Sequence, residues 1–168
     1  MERRRLAKTG MLRSAHMLGN EEEIIFAATD LLADTKLAPE LSNEAHYYRA
    51  KAYLDAGKTD GAMEDLKVLA KDTRNVYGAE AKYKVAQIYF DGGQTDKAEQ
   101  EVLNYIEVST PHTYWLARSF VLLADVYMKL GRNLDAKQYL LSLKQNYQAD
   151  DDIAGMIESR LEKLKTEN

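Results

Sequence analysis

Residues 85–106 read VAQIYFDGGQTDKAEQEVLNYI, and the spacing within this stretch decides the fold. Before Gly93, the residues Val85, Ala86, Tyr89 and Phe90 recur at the three- and four-residue steps of one helical face. After it, Ala98, Val102, Tyr105 and Ile106 do the same. Glycine stands where the first helix must stop and the chain reverse, because it enters the left-handed conformation at little cost. Alanine at 86 and 98 lets the two helices approach closely. The stretch predicts an antiparallel helical hairpin.

The same hairpin recurs in both directions. Gly19, Gly57, Gly93 and Gly131 are spaced 38, 36 and 38 residues apart. Four residues before them stand Ala15, Tyr53, Tyr89 and Tyr127, and three before those stand Leu12, Ala50, Ala86 and Ala124. Five residues after them come Ile24, Ala62, Ala98 and Ala136, followed four later by Ala28, Leu66, Val102 and Leu140. A fixed period of this length predicts a repeat architecture in which each hairpin buries its apolar face on its neighbours. Helices are expected over 2–18, 20–34, 41–56, 59–73, 78–91, 95–108, 112–130, 133–146 and 150–166. The last carries one apolar stripe (Ile153, Met156, Ile157, Leu161, Leu164) behind Asp150–Asp152, and reads as a cap that solvates the final hairpin.

The pattern resembles the tetratricopeptide repeat, whose signature is W-x2-L-G-x2-Y followed by Ala, Phe and Pro at set distances. The third copy is most similar (Val85-Ala86-x2-Tyr89, Gly93, Ala98, Val102). The fourth has Phe120 at the tryptophan position, then Leu123-Ala124-x2-Tyr127, Gly131, Ala136 and Leu140. The second keeps Ala50, Tyr53, Gly57, Ala62 and Leu66 but has His46 and Arg49 where large apolar residues are usual; the first is degenerate. The resemblance implies an all-α, right-handed superhelical solenoid of four hairpins (1–37, 38–74, 75–110, 111–148) and a capping helix (150–166), forming one domain over 1–168. The Tyr-rich third copy is similar to repeats of bacterial periplasmic and outer-membrane-associated scaffolds. A periplasmic location follows from that likeness, with a cytoplasmic one as the alternative.

Composition fits this reading and narrows the function. The 168 residues are 45% hydrophobic and 30% charged, with only 2 Pro, as for a folded α-helical chain. A net charge of −4 with interleaved signs offers little phosphate neutralisation, which disfavours nucleic acid as a partner. The absence of cysteine removes disulfides, thiolate nucleophiles and Cys-based zinc sites. No apolar run reaches the length of a membrane span, so membrane insertion is not expected.

Motifs for chemistry are missing or fail on inspection. His16, His46 and His112 share no metal-ligand spacing. Asp150-Asp151-Asp152-Ile153-Ala154-Gly155 imitates the start of a calcium loop, but Ala154 and Leu161 occupy ligand positions. Asp91-Gly92-Gly93 follows a helix and lacks the Lys-Ser/Thr pair of a phosphate loop. No enzyme, metal or cofactor is expected.

The first helix of each hairpin lines the concave face in tetratricopeptide arrays. On this sequence the resemblance places there Arg13 and His16; Tyr47, Tyr48, Lys51 and Leu54; Tyr83, Lys84, Gln87 and Phe90; Val121, Asp125 and Met128. Such an aromatic strip with a few cations suits an extended peptide or a helix of another protein. The Lys–Asn clamp used by chaperone-tail binders is missing, since Thr9/Arg13, Tyr47/Lys51 and Tyr83/Gln87 occupy its positions. The expected function is a non-catalytic scaffold or adaptor. The alternative is a structural segment of a larger repeat protein acting through self-stacking or oligomerisation. Helix 2–18 favours the second, because Leu6, Met11, Leu12, Met17 and Leu18 are too apolar for a cap. The chain therefore reads as the C-terminal part of a longer one, with self-association through this face as an expectation.

Overall fold

A computed structural model describes residues 1–166, which form nine α-helices and no strand. These are α1 (Glu2–Leu18), α2 (Glu21–Leu32), α3 (Pro39–Asp55), α4 (Thr59–Leu69), α5 (Val76–Asp91), α6 (Thr95–Val108), α7 (Thr113–Lys129), α8 (Asn133–Asn146) and α9 (Ile153–Thr166). They group into two compact units, one spanning Met1–Asp72 and the other running from Thr73 onward. The first holds the hairpins α1/α2 and α3/α4. The second holds α5/α6, α7/α8 and α9.

Local chemistry sets the boundaries. Gly19, Gly57, Gly93 and Gly131 all adopt positive φ, between 69° and 78°, and each reverses the chain between the helices of one hairpin. The Asn20 and Asn75 side chains accept hydrogen bonds from the Glu23 and Gly78 amides and start α2 and α5. Pro39 begins α3 two residues earlier than the sequence predicts, where its missing N–H costs nothing. Helix α2 stops at Leu32 rather than 34, and the Asp34 carboxylate turns the chain by accepting from the Lys36 amide. At α9 the Asp151 carboxylate accepts from the Ile153 amide, as expected of the acidic run.

In the first unit, Leu12, Ala15, Ile24, Ala28, Leu31 and Ala45 form one core. In the second, the core runs from Tyr83 and Ala86 through Val102, Tyr105 and the buried face of α7 to Ile153, Ile157 and Leu164 of α9. The repeat alanines Ala62, Ala98 and Ala136 are completely buried, so the helices meet where the sequence leaves room. Tyr127 is buried, whereas Tyr53 and Tyr89, at the same repeat position, are half-buried beneath cations. Arg49 lies 6.0 Å from the Tyr53 ring and Lys97 5.6 Å from that of Tyr89.

The second, third and fourth hairpins share a further rung that the repeat pattern alone does not show. The position eleven residues before the turn glycine meets the position eight residues after it. In the fourth hairpin these are Phe120 and Tyr139, stacked at 6.3 Å. In the third they are Lys82 and Glu101, paired at 2.7 Å, and in the second His46 and Asp65, also at 2.7 Å. Asp65 is only 1% exposed and also accepts from Arg49 Nε and Nη2, at 2.9 and 2.7 Å. The two unusual polar residues of the second copy are therefore the partners of one buried carboxylate. Burial pushes the Asp65 carboxyl up, but the bonds from His46 and Arg49 outweigh it and hold the group below its ordinary range.

Ser109 ends α6 at φ 63° and ψ 177°, a region normally left to glycine. Its carbonyl accepts from Thr73 Oγ1 at 2.8 Å, and Thr110 Oγ1 donates to the Thr73 carbonyl at 2.6 Å. These bonds hold the turn between α6 and α7 against the segment preceding α5.

Candidate functional site

The expected concave-face residues fall into two clusters, one in each unit. In the first unit α1 and α3 bring together Arg13, His16, Tyr47, Tyr48 and Lys51. Arg13 makes a bidentate bond to Glu44 at 2.7 and 2.9 Å, which holds that carboxylate below its ordinary range. His16 is exposed and stacks on Tyr48, with ring centroids 4.0 Å apart and planes 12° from parallel. Tyr47 packs beside Tyr48 at 6.1 Å, and the Lys51 ammonium lies 5.3 Å from its ring. Leu54 is half-buried one turn further on.

In the second unit α5, α7 and α9 supply the cluster. Tyr83 differs from the expected groove residue, being only 6% exposed. Its ring packs on Trp115 at 5.7 Å, and the Arg118 guanidinium lies 4.8 Å from it. The Tyr83 hydroxyl accepts from Arg118 Nη2 and donates to Gln87 Oε1, both at 2.9 Å, while burial pushes its pKa up. Trp115 and Arg118 on α7 cover it, so Tyr83 supports the face from beneath. Val121 is buried as well, within the core that α7 helps to build. Lys84 pairs with Glu80 one turn back, at 2.6 Å.

Phe90, Asp125 and Met128 stay half-buried and border a cavity of about 410 Å³ with Lys129, Ser159, Arg160 and Lys163. Arg160 makes a bidentate bond to Asp125 at 2.7 and 2.9 Å, which fixes α9 across the end of α7. Lys129 and Lys163 are exposed, and neither pairs with a carboxylate among the described residues. The cavity thus combines an apolar wall with uncompensated positive charge. The sequence reading missed this contribution of α9. Arg160 and Lys163 lie off the apolar stripe, which reads as a solvated face, and nothing in the spacing links Arg160 to Asp125, 35 residues away. Among the described residues no three His, Asp or Glu side chains are grouped to hold a metal ion. No helix among them is long and apolar enough to cross a membrane.

Repeated helical hairpins joined through left-handed glycines define the class, an all-α repeat protein of the solenoid type. Family models of the tetratricopeptide repeat match residues 44–72 and 117–145, the second and fourth hairpins. These two stretches are similar to tetratricopeptide repeats, which are generally protein–protein interaction modules on a non-catalytic scaffold. Among solved structures, MamA superposes with a TM-score of 0.62 at 21% identity, over 94% of this chain and 96% of that one. A kinesin-light-chain-like protein of Podosopora anserina, with nearly identical TPR-like repeats, superposes with a TM-score of 0.59 at 15% identity, covering 97% and 94%. Its Q17M variant gives 0.61 at 15% identity, over 97% and 93%. No curated protein sequence matches the chain at a significant level.

Proposed function

We propose that the chain is a non-catalytic adaptor that binds a peptide of another protein on the α5, α7 and α9 face of its second unit. The observation that carries this reading is the cavity between Phe90, Met128, Lys129 and Lys163, where apolar wall and unpaired ammonium groups stand together. An apolar side chain of the peptide fills the space against Phe90 and Met128. An adjacent carboxylate, from Asp, Glu or a chain end, lies by Lys129 and Lys163. The Arg160–Asp125 pair joins α9 to α7 in the wall of the cavity. In the first unit, the His16–Tyr48 stack and Tyr47 give flat aromatic surface of the kind that recurs at binding hot spots. Selection from a random-peptide display library tests the reading. Wild type enriches an apolar residue next to an acidic one, and Lys129→Glu/Lys163→Glu does not. Equal enrichment by both proteins refutes it.

A second reading, self-association, is favoured by one observation. The outer side of α1 and α2 exposes Met11, Met17, Leu18 and Phe26, with Met17 86% and Phe26 70% accessible.

A further inference from the structure

The α1/α2 hairpin carries a groove of about 700 Å³ whose walls are mostly apolar. Its floor is made of small residues on one stripe of α1, namely Ala7, Gly10 and Ser14. The corresponding positions of later hairpins are closed. Ala45, one period after Ala7, is buried under α2 in the first unit, and Ser119 is buried in the second. On α1 the same side is open, and the large apolar residues around it are exposed.

Charge is distributed along this groove with opposite signs at its two ends. Arg3 and Arg4 continue the floor stripe at the start of α1, one turn before Ala7. Glu22 and Glu23 line the groove at the other end, beside Leu18. All four are exposed. A surface with cations at one end, anions at the other and a small-residue saddle between them is complementary to itself after rotation by half a turn.

Resting on the self-association reading, we propose that two copies of this chain pair through α1 in antiparallel fashion about a two-fold axis near Gly10 and Met11. At 1.5 Å per residue, Arg3 and Arg4 stand roughly 10 Å from that axis and Leu18 roughly 11 Å on the opposite side. Antiparallel pairing therefore sets Arg3 and Arg4 of one copy against Glu22 and Glu23 of the other, twice over. It also sets Leu6 of one copy near Met17 of the other, covering two of the most exposed apolar side chains. Gly10 carries no side chain and faces open space, since a Cβ there would meet nothing within 4 Å, so a second helix can come close to α1 at this point. The occupant of the groove is thus a second copy of the same helix, chosen by end-to-end charge.

The cysteine-free sequence makes the test clean. Wild type is expected to sediment as a concentration-dependent dimer. Gly10→Cys, placed at the axis in open space, is expected to form a disulfide-linked dimer on mild oxidation. Gly155→Cys on α9, also in open space, is expected to give no more than background. Glu22→Arg/Glu23→Arg should weaken the dimer about tenfold or more by setting like charges face to face. Adding Arg3→Glu/Arg4→Glu in the same chain should restore it. A dimer that Gly10→Cys does not cross-link, or that the second charge reversal does not rescue, overturns the antiparallel geometry while self-association stands. A chain monomeric at every concentration overturns both, and assigns the groove to a helix from elsewhere.

Discussion

Replacing Asp65 by Ala removes the acceptor shared by His46 and Arg49 and leaves both half-buried with lost partners. The wild-type bonds are short, at 2.7 Å from His46 and 2.7 and 2.9 Å from Arg49, and their acceptor is sealed from water. Breaking a buried charge pair on one side costs about 3–5 kcal/mol. Here the Arg49 and His46 side chains remain 19% and 16% exposed, so water recovers part of the loss. Arg49 also keeps its bond to Thr29. The expected destabilisation is about 2–3 kcal/mol at neutral pH, read by urea denaturation followed by far-UV circular dichroism. The pH dependence follows from the depressed carboxyl. Asp65 titrates lower in the folded chain than an ordinary aspartate, so its contribution is complete above the ordinary aspartate range. It fades as the pH falls through the folded value, and the gap between wild type and Asp65→Ala should narrow below about pH 4. Exchanging the whole group for its fourth-hairpin counterparts (His46→Phe, Arg49→Leu, Asp65→Tyr) should leave stability within about 1 kcal/mol of wild type, or raise it. A loss under about 1 kcal/mol for Asp65→Ala, or a gap that stays constant to pH 3, refutes the reasoning.

Ser109→Gly should stabilise the chain by about 1 kcal/mol, since glycine occupies that backbone region without strain. An unchanged melting temperature contradicts this. Tyr105 is fully buried and its hydroxyl donates to the Ala79 carbonyl at 3.0 Å, so Tyr105→Phe should cost about 1 kcal/mol in urea denaturation. Burial also pushes the Tyr105 phenol up to about 12. Its neutral form is the one folding favours, so stability present below the unfolded value near 10 should be lost as the pH rises towards 12. Ala98→Leu should destabilise by about 1–3 kcal/mol, because Ala98 is completely buried where α5 and α6 meet. Trp115, the one tryptophan, reports that unit's unfolding by fluorescence.

The fold was legible because helical hairpins are local objects. Turn glycines at positive φ and alanines at helix crossings repeat at one period, and each is dictated by neighbours a few residues away. Helix ends were less legible, since α2 and α5 are set by which particular side chain captures a free backbone amide. The residues that defeated the repeat pattern, His46 and Arg49, were visible as anomalies. Their explanation lay in Asp65, on the other helix of the hairpin, and a carboxylate in a charged helix gives no sign of being buried. The candidate site was legible only by position. Periodicity picks the helix face, but it could not show that Trp115 and Arg118 would cover Tyr83 or that α9 would bring Arg160 to Asp125. Both depend on side-chain packing across 32 or more residues, which sequence spacing does not encode.

The most direct test of the adaptor reading is the affinity of a display-selected apolar–acidic peptide for wild type and for Lys129→Glu/Lys163→Glu, measured by titration calorimetry at low and high salt. Both lysines are exposed, so the substitutions leave the core untouched. The account predicts about a tenfold or greater loss of affinity in the variant, together with a salt dependence that wild type shows and the variant loses. Equal affinities with equal salt dependence would contradict it.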